Sequence, residues 1–501
     1  MTTPETFDVI IIGAGISGIN AAYRVQTYLS GQSYIVLEAR NSCGGTWDLF
    51  QYPGVRLDSD IHTFGFPWHP YQGKDTMVPG KDLLQYLKDT VHQFRIAEHI
   101  RYNHRVTEAA WSSYHNAWEI RGRRPDHTVY CFCAKFVLFA TGYFDHDNPG
   151  QAQIQGITDF CGKIIHPQLW PEAYNCCGKK IVIIGSGATA VSLLPKLVPE
   201  AASVTLVQRS PNYIVSIPTL SDPQLLDRIL PYWALQMLKR IGWLMVTLLA
   251  YHLCRLFPVA AKNQLLRLVG EQLPARIPVN PHFQPSYPVW DQRLLACPNG
   301  DFFEALHDAR VKIETGHIAT CTQKGLKLKS GVHIQADVII TATGLRVQIG
   351  GRIALKVDGK DINMAEKRIW NGMMLQDLPN AFFSLGYLTT ASWTMGTDLT
   401  AMAACRMIHR LRSKRLVSAT PRCAVSDAGP PRPLWNLEST YLLASTGRVP
   451  LAGSRGLWKP RRNYIVDYFH SLLVPFASGI EWKPAPKSDA GVSQTSHNTA
   501  R

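Results

Sequence analysis

Residues 7–38, FDVIIIGAGISGINAAYRVQTYLSGQSYIVLE, carry a pattern that few folds can satisfy. The apolar, β-branched run 7–12 reads as a buried parallel strand and stops at Gly13-Ala14-Gly15-Ile16-Ser17-Gly18. Residues 19–29 then place Ile, Ala, Val and Leu at helical spacing, and 34–37 form a second strand closed by Glu38. Each position has a physical task. Gly13 permits the tight turn, Gly15 lets the backbone approach a pyrophosphate, and Gly18 lets helix and strand pack closely. The helix N-terminus, with Ser17 in its first turn, presents free N–H groups to the anion. Glu38 is in register to accept hydrogen bonds from an adenosine ribose. The plain alternative is a glycine-rich turn that binds nothing; the flanking elements and the acid favour a bound dinucleotide.

The pattern recurs. Residues 180–184 read as a strand, Gly185-Ser186-Gly187-Ala188-Thr189-Ala190 as the loop, then a helix to 197 and a strand over 203–207. Ala190 takes the third glycine's place, which the motif permits. Past the second strand stand Gln208 and Arg209 where the first unit has its acid. A guanidinium binds a 2′-phosphate bidentately while an acid repels it, so Gly185, Gly187, Thr189, Ala190, Gln208 and Arg209 are expected to hold NADPH and the first unit FAD. Two buried strands, each ending in Ala-Thr-Gly at 142 and 344, are expected to close the two domains, with Gly142 bringing backbone to the flavin. The expected class is therefore α/β, with two Rossmann-like dinucleotide-binding domains, FAD and NADP, and a helical insertion. The FAD domain is expected over 1–147 and 347–485, the NADP domain over 152–217 and 299–346, the insertion over 218–298 and a disordered tail over 486–501.

Composition narrows the function. A net charge of +15 over 501 residues admits nucleic acid, an anionic surface or a polyanionic cofactor. The basic residues are scattered without an RNP, KH or zinc-finger pattern, so nucleic acid is disfavoured. Eleven cysteines, an odd number without CxxC pairs, point to reduced thiols, and Cys43 has no partner for dithiol-reductase chemistry. No metal-ligand spacing stands out. The glycine motif starts too early for a signal peptide ahead of it, so a cytoplasmic location is expected. Residues 241–254 lack charge, yet fourteen residues fall short of the ~20 that span a bilayer. They are expected to pack on the nucleotide domain; membrane-surface contact through 229–257 is the less favoured alternative.

Residues 44–58 (GGTWDLFQYPGVRLD) suggest a rigid, non-helical loop that lies flat on a ring system. Gly45, Thr46, Trp47, Arg56 and Asp58 are its cofactor-binding candidates, and Val106 joins them from a strand expected over 100–110. Residue type alone makes His166 a structural histidine capping a turn, and Arg293 an ordinary surface charge.

With these pieces in order, the chain resembles the type I Baeyer-Villiger monooxygenases, within the class B flavoprotein monooxygenases. One fingerprint of that family is matched by Gly44, Gly45, Trp47, Tyr52, Pro53, Gly54 and Asp58, and the other by Phe160, Gly162, His166, Trp170 and Pro171. The segments 166–172, 184–191, 208–216, 290–293 and 390–394 are similar to the ethionamide-activating branch. The resemblance implies NADPH reduction of FAD, a C4a-peroxyflavin, and insertion of one oxygen atom from O₂ into a ketone, giving an ester or lactone. It makes Arg293 the arginine that stabilises the anionic flavin peroxide, Asp58 the acid that orients it, and His166 a residue acting through domain motion. The small-molecule substrate is expected to be a ketone or thioether, in a pocket built from 60–70, 285–293 and 388–396. Many relatives have Lys-Arg where Gln292-Arg293 stands, which leaves Arg209 as the main 2′-phosphate anchor, and Thr or Ser where Pro167 stands. S- or N-oxygenation is the nearest alternative, and a membrane-surface flavoprotein redox sensor without turnover is the alternative from another class.

Overall fold

Strand β1 (Glu5–Ile12) runs between β2 (Tyr34–Leu37) and β6 (Val129–Phe139), parallel to both, in the computed structural model of the chain. The structure describes residues 4–219 and 229–486 other than 424, 436, 438, 462, 474, 475 and 477; the expected tail lies almost wholly outside them. Val9 to Ile12 are all buried, Val9 and Ile11 on the face covered by helices, and Ile10 and Ile12 on the opposite face against strand residues such as Val106, Trp111 and Trp118, so this segment is continuously apolar rather than alternating. The single strand expected over 100–110 is instead two. The pair β3 (Ile100–Arg101) beside β2 is followed by Asn103, at φ 58°, and the chain turns into β4 (Arg105–Ser112). Strand β4 forms an antiparallel meander with β5 (Ala117–Arg123) and the first half of β6.

The second sheet is wholly parallel. Its order is β12 (Val311–Thr315), β9 (Ser203–Gln208), β8 (Lys180–Ile184), β16 (Val338–Thr341), β7 (Lys163–Ile165). A parallel ribbon of β10 (Ile214–Ile217) and β11 (Leu295–Pro298) ties the two ends of the insertion. An antiparallel flap, β13 (Ile318–Thr322), β14 (Gly325–Leu328) and β15 (His333–Gln335), precedes β16. The chain then returns to the first sheet: β17 (Ala354–Val357) pairs with β4, and Ala381–Phe383 pairs with the end of β6.

The helix after the first loop spans Ile16–Tyr28, starting three residues before the periodicity suggested because extended Gly15 is its N-cap. It packs on Trp393–Ser413. A buried ion pair joins the two helices: Arg24 donates to both Asp398 oxygens at 2.8 and 2.9 Å.

The insertion is helical, as expected. Its main helix, Tyr232–Leu256, runs for 25 residues and contains the uncharged fourteen, and it meets Pro258–Gly270 at 115°. Arg240 is accommodated because its guanidinium donates to the carbonyls of His62 and Gly65 at 2.8 and 3.0 Å. Only Leu235, Leu244 and Leu248 of this helix are buried, the last two against Tyr387, Met395 and Leu399 near the FAD-side helix Trp393–Ser413. Among the described residues no single helix is long and apolar enough to cross a membrane.

Candidate active site

Both glycine loops open onto one cavity of about 1670 Å³. From the first unit Gly13, Gly15, Ser17, Glu38, Gly45, Thr46, Trp47, Arg56, Asp58, Val106 and Gly142 line it, and from the second Gly185, Gly187, Thr189 and Arg209. The three expected substrate segments converge there through Asp60, Thr63 and Phe64, through Trp290, Gln292 and Arg293, and through Leu388, Ser392 and Trp393.

Four candidates do not line it. A Cβ at Gly18 would stand 1.8 Å from the Gly13 carbonyl oxygen, and buried Ala190 packs in the second domain's core, so both set the helix–strand approach. Gln208 is corrected from ligand to scaffold: its amide turns inward, donating to the His282 carbonyl at 2.6 Å and to Thr315 Oγ1 at 3.0 Å. His166 accepts from the Gln168 N–H at 3.2 Å, which caps the Pro167–Leu169 turn, and its Nε2 lies 3.1 Å from the Gly150 carbonyl oxygen. The turn-capping role is thus the one observed, beside Gly150 in the segment that joins residues 1–147 to the second domain. Burial holds its imidazole below the usual range, toward the neutral form.

The first loop fits a flavin nucleotide on geometry alone. Gly13 sits at φ 104°, and a Cβ there would come within 2.7 Å of the Ala140 carbonyl oxygen. No side chain caps Ile16–Tyr28, so its first-turn N–H groups are left for an anion. Glu38 is fixed by the N–H groups of Ala14 and Arg40 at 2.7 and 2.9 Å, while burial pushes its carboxyl up. At the second loop, a Cβ on Gly185 (φ 137°) would stand 2.2 Å from the Ala342 carbonyl oxygen, and Ala188–Leu197 is likewise uncapped by any side chain. With Gln208 turned away, Arg209 faces the cavity and donates to Thr440 Oγ1 at 3.0 Å. Gly18→Ala should therefore displace the helix and yield protein with sharply reduced flavin content; full yellow absorbance after purification would contradict this packing role.

Between the loops, Arg293 Nη2 donates to Asp58 Oδ1 at 2.8 Å. The Asp58 charge holds the guanidinium pKa up, against burial. Tyr143 and Tyr441 face the same pair; burial raises both phenols, so they remain protonated and neutral. The Arg293 loop is clamped from outside the cavity. Arg255 donates to Asp291 at 2.6 Å and to the Trp290 carbonyl at 3.3 Å, and Tyr213 donates to the Tyr287 carbonyl at 2.7 Å. Buried Trp290 sits at φ 74°, a conformation costing about 1–3 kcal/mol for a non-glycine residue, held here by its edge contact with Tyr251.

The Asp58 loop does more than face a ligand. Thr46–Leu49 is a helical turn, not the irregular backbone expected, because the glycine pair supplies its N-cap. Trp47 lines the cavity and also packs edge-on against Phe64, at 5.7 Å and 86°. Tyr52 is buried in the second domain's core, and a Cβ on Gly54 would meet the Ser192 carbonyl oxygen at 2.3 Å. This corner is a strap onto the NADP-side helix. Arg56, expected on the cofactor, spends its guanidinium on Asp301 of the other domain. Sequence reasoning missed Tyr143, stacked on Trp393 at 4.3 Å, as well as His146, 3.3 Å from Thr46 Oγ1, and Tyr441. Tyr143 follows Gly142 directly and so had a positional signal; Tyr441 had none.

Comparison with known proteins places this geometry. Residues 10–229 match the pyridine nucleotide-disulphide oxidoreductase family model, although no disulfide is formed among the described residues. The chain is 39% identical over 465 residues to the FAD-containing monooxygenase EthA of Mycobacterium tuberculosis, covering 92% of this chain and 94% of that protein. The chain belongs to the FAD-containing monooxygenases. EthA of Mycolicibacterium smegmatis is also 39% identical, over 466 residues, with 92% and 94% covered. Cyclohexanone monooxygenase from Rhodococcus sp. Phi1, solved bound to NADP⁺, shares the fold at TM-score 0.75 and 20% identity, over 96% of this chain and 100% of that one. The fingerprint resemblance and the α/β class with paired dinucleotide domains are borne out. As an FAD-containing monooxygenase, the chain has in its first glycine loop a cradle that fits the flavin nucleotide.

Proposed function

We propose that this monooxygenase uses NADPH and O₂ to insert one oxygen atom into a ketone, releasing an ester or lactone. The observation that carries the reading is the Arg293–Asp58 pair, set in the shared cavity beside two neutral phenols. FAD, when bound, supplies the hydride acceptor and the activation of oxygen. The protein's own residues supply binding, orientation and charge. The first loop and Glu38 hold the flavin nucleotide, and the second loop with Arg209 holds the nicotinamide nucleotide. Arg293 places a cation where negative charge develops on oxygen, and Asp58 fixes one arm of it while the other donors stay directed elsewhere. His166 acts as a positioning residue at the inter-domain linker.

The test is turnover under ¹⁸O₂ with a panel of ketones and thioethers. One labelled oxygen in an ester, matched by NADPH consumed, is expected; ketone-independent NADPH oxidation that yields only peroxide would overturn the reading, and labelled sulfoxide alone would move it to sulfur. Arg209→Ala should remove a charge-assisted contact of about 1.5–3 kcal/mol, raising the KM for NADPH roughly 10- to 100-fold. The KM for NADH, which lacks the 2′-phosphate, should change little. An equal rise for both nucleotides would remove Arg209 from that role.

A further inference from the structure

The helix Tyr232–Leu256 has two faces with opposite surroundings. Trp243 and Thr247 point to the cavity, and Leu244 and Leu248 are buried. On the other side Leu238, Ile241, Met245, Leu249 and Leu256 recur at helical spacing, between 44% and 69% exposed. The neighbouring helix Tyr464–Leu473 packs into the same cluster through Tyr464, Ile465 and Tyr468 and exposes Val466, Phe469 and Leu473. Exposed apolar side chains repeated along one helix face mark an interaction surface.

Charge identifies the partner. From Ile229 to Gly270 there is no Asp or Glu, and there are five cations: Lys239, Arg240, Arg255, Lys262 and Arg267. Arg255 and Arg267 meet Asp291 and Glu271 and Arg240 turns inward beside Asp60, while Lys262 donates to the uncharged Pro285 carbonyl oxygen. Exposed Tyr232 and Trp233 stand at the helix start, the amphipathic ring type favoured at a bilayer boundary. Lys239 and Arg240 within the helix, and the 115° bend after it, suit a helix lying in the interface rather than one crossing it.

We propose that the outer faces of Tyr232–Leu256 and Tyr464–Leu473 dock the enzyme on an anionic lipid bilayer. The proposal rests on exposure and charge and not on the oxygenase reading. Because the same helix walls the cavity, docking places the site against the apolar phase.

Flotation of full-length, FAD-loaded protein with vesicles tests it. Phosphatidylcholine vesicles containing phosphatidylglycerol should carry the protein roughly tenfold more than phosphatidylcholine alone, with the excess lost at high salt. Leu238→Glu/Leu249→Glu, and separately Leu473→Glu on the second helix, should abolish flotation while flavin content and vesicle-free NADPH oxidation match the wild type. Tyr114→Glu, at an exposed turn elsewhere, should float normally. Wild-type protein left behind by both vesicle types overturns the proposal, as does flotation of folded glutamate variants. Light scattering separates the remaining occupant: a wild-type dimer that becomes monomeric in the variants, with no flotation, would assign the face to a second copy of the chain.

Discussion

Replacing Arg293 with alanine should lower ketone oxygenation about 100- to 1000-fold, the loss typical of removing a preorganised donor from developing negative charge. NADPH-driven flavin reduction, followed anaerobically by bleaching of the flavin absorbance, should stay nearly unchanged. The expectation rests on the surroundings of the guanidinium. Its hydrogen-bonded carboxylate is Asp58 at 2.8 Å, and the phenols that face it are neutral, so neither replaces the positive charge once Arg293 is gone. Lysine should restore only part of the activity, because an ammonium cannot hold Asp58 with one arm and present a planar fork with the others. Equal loss of reduction and oxygenation in the alanine variant would show that Arg293 merely holds the domains together.

The second large effect concerns stability. Arg24 and Asp398 are both buried and joined by two hydrogen bonds, on helices far apart in sequence. Burial disfavours the Arg24 charge, and the Asp398 hydrogen bonds and charge more than reverse this. Asp398→Ala therefore strands a cation in a dry interface, at a cost of about 3–5 kcal/mol, whereas an apolar pair, Arg24→Met with Asp398→Leu, should recover most of it. Thermal unfolding followed by flavin fluorescence would read both variants. The pair serves only packing if the double variant is as unstable as the single one. Since Trp393, five residues before Asp398, lines the cavity, loss of this pair should also loosen the flavin.

The most legible parts of the chain were those whose physics is local. A tight turn, an uncapped helix and an acid at a strand's end leave their signature within about thirty residues, so both dinucleotide units could be read directly. The boundary missed was one at which the backbone turn, rather than hydrophobic periodicity, set the start, as at Ile16 after extended Gly15. The three segments expected to build the substrate pocket each contribute residues to the shared cavity, although they lie far apart in the sequence.

The sequence by itself determined which groups are present and which backbone turns are possible: the two glycine loops, Glu38, Arg209 facing a missing acid, and an arginine within reach of a loop acid. Tertiary structure alone decided where each side chain spends its hydrogen bonds. Gln208 turns inward because Thr315 and the His282 carbonyl stand behind it, Arg56 meets Asp301 rather than a nucleotide, and Tyr441 arrives from a distant segment. It also decided that one side of Tyr232–Leu256 stays uncovered. Burial and pairing depend on neighbours contributed from far along the chain, and that information is absent from any local stretch of residues.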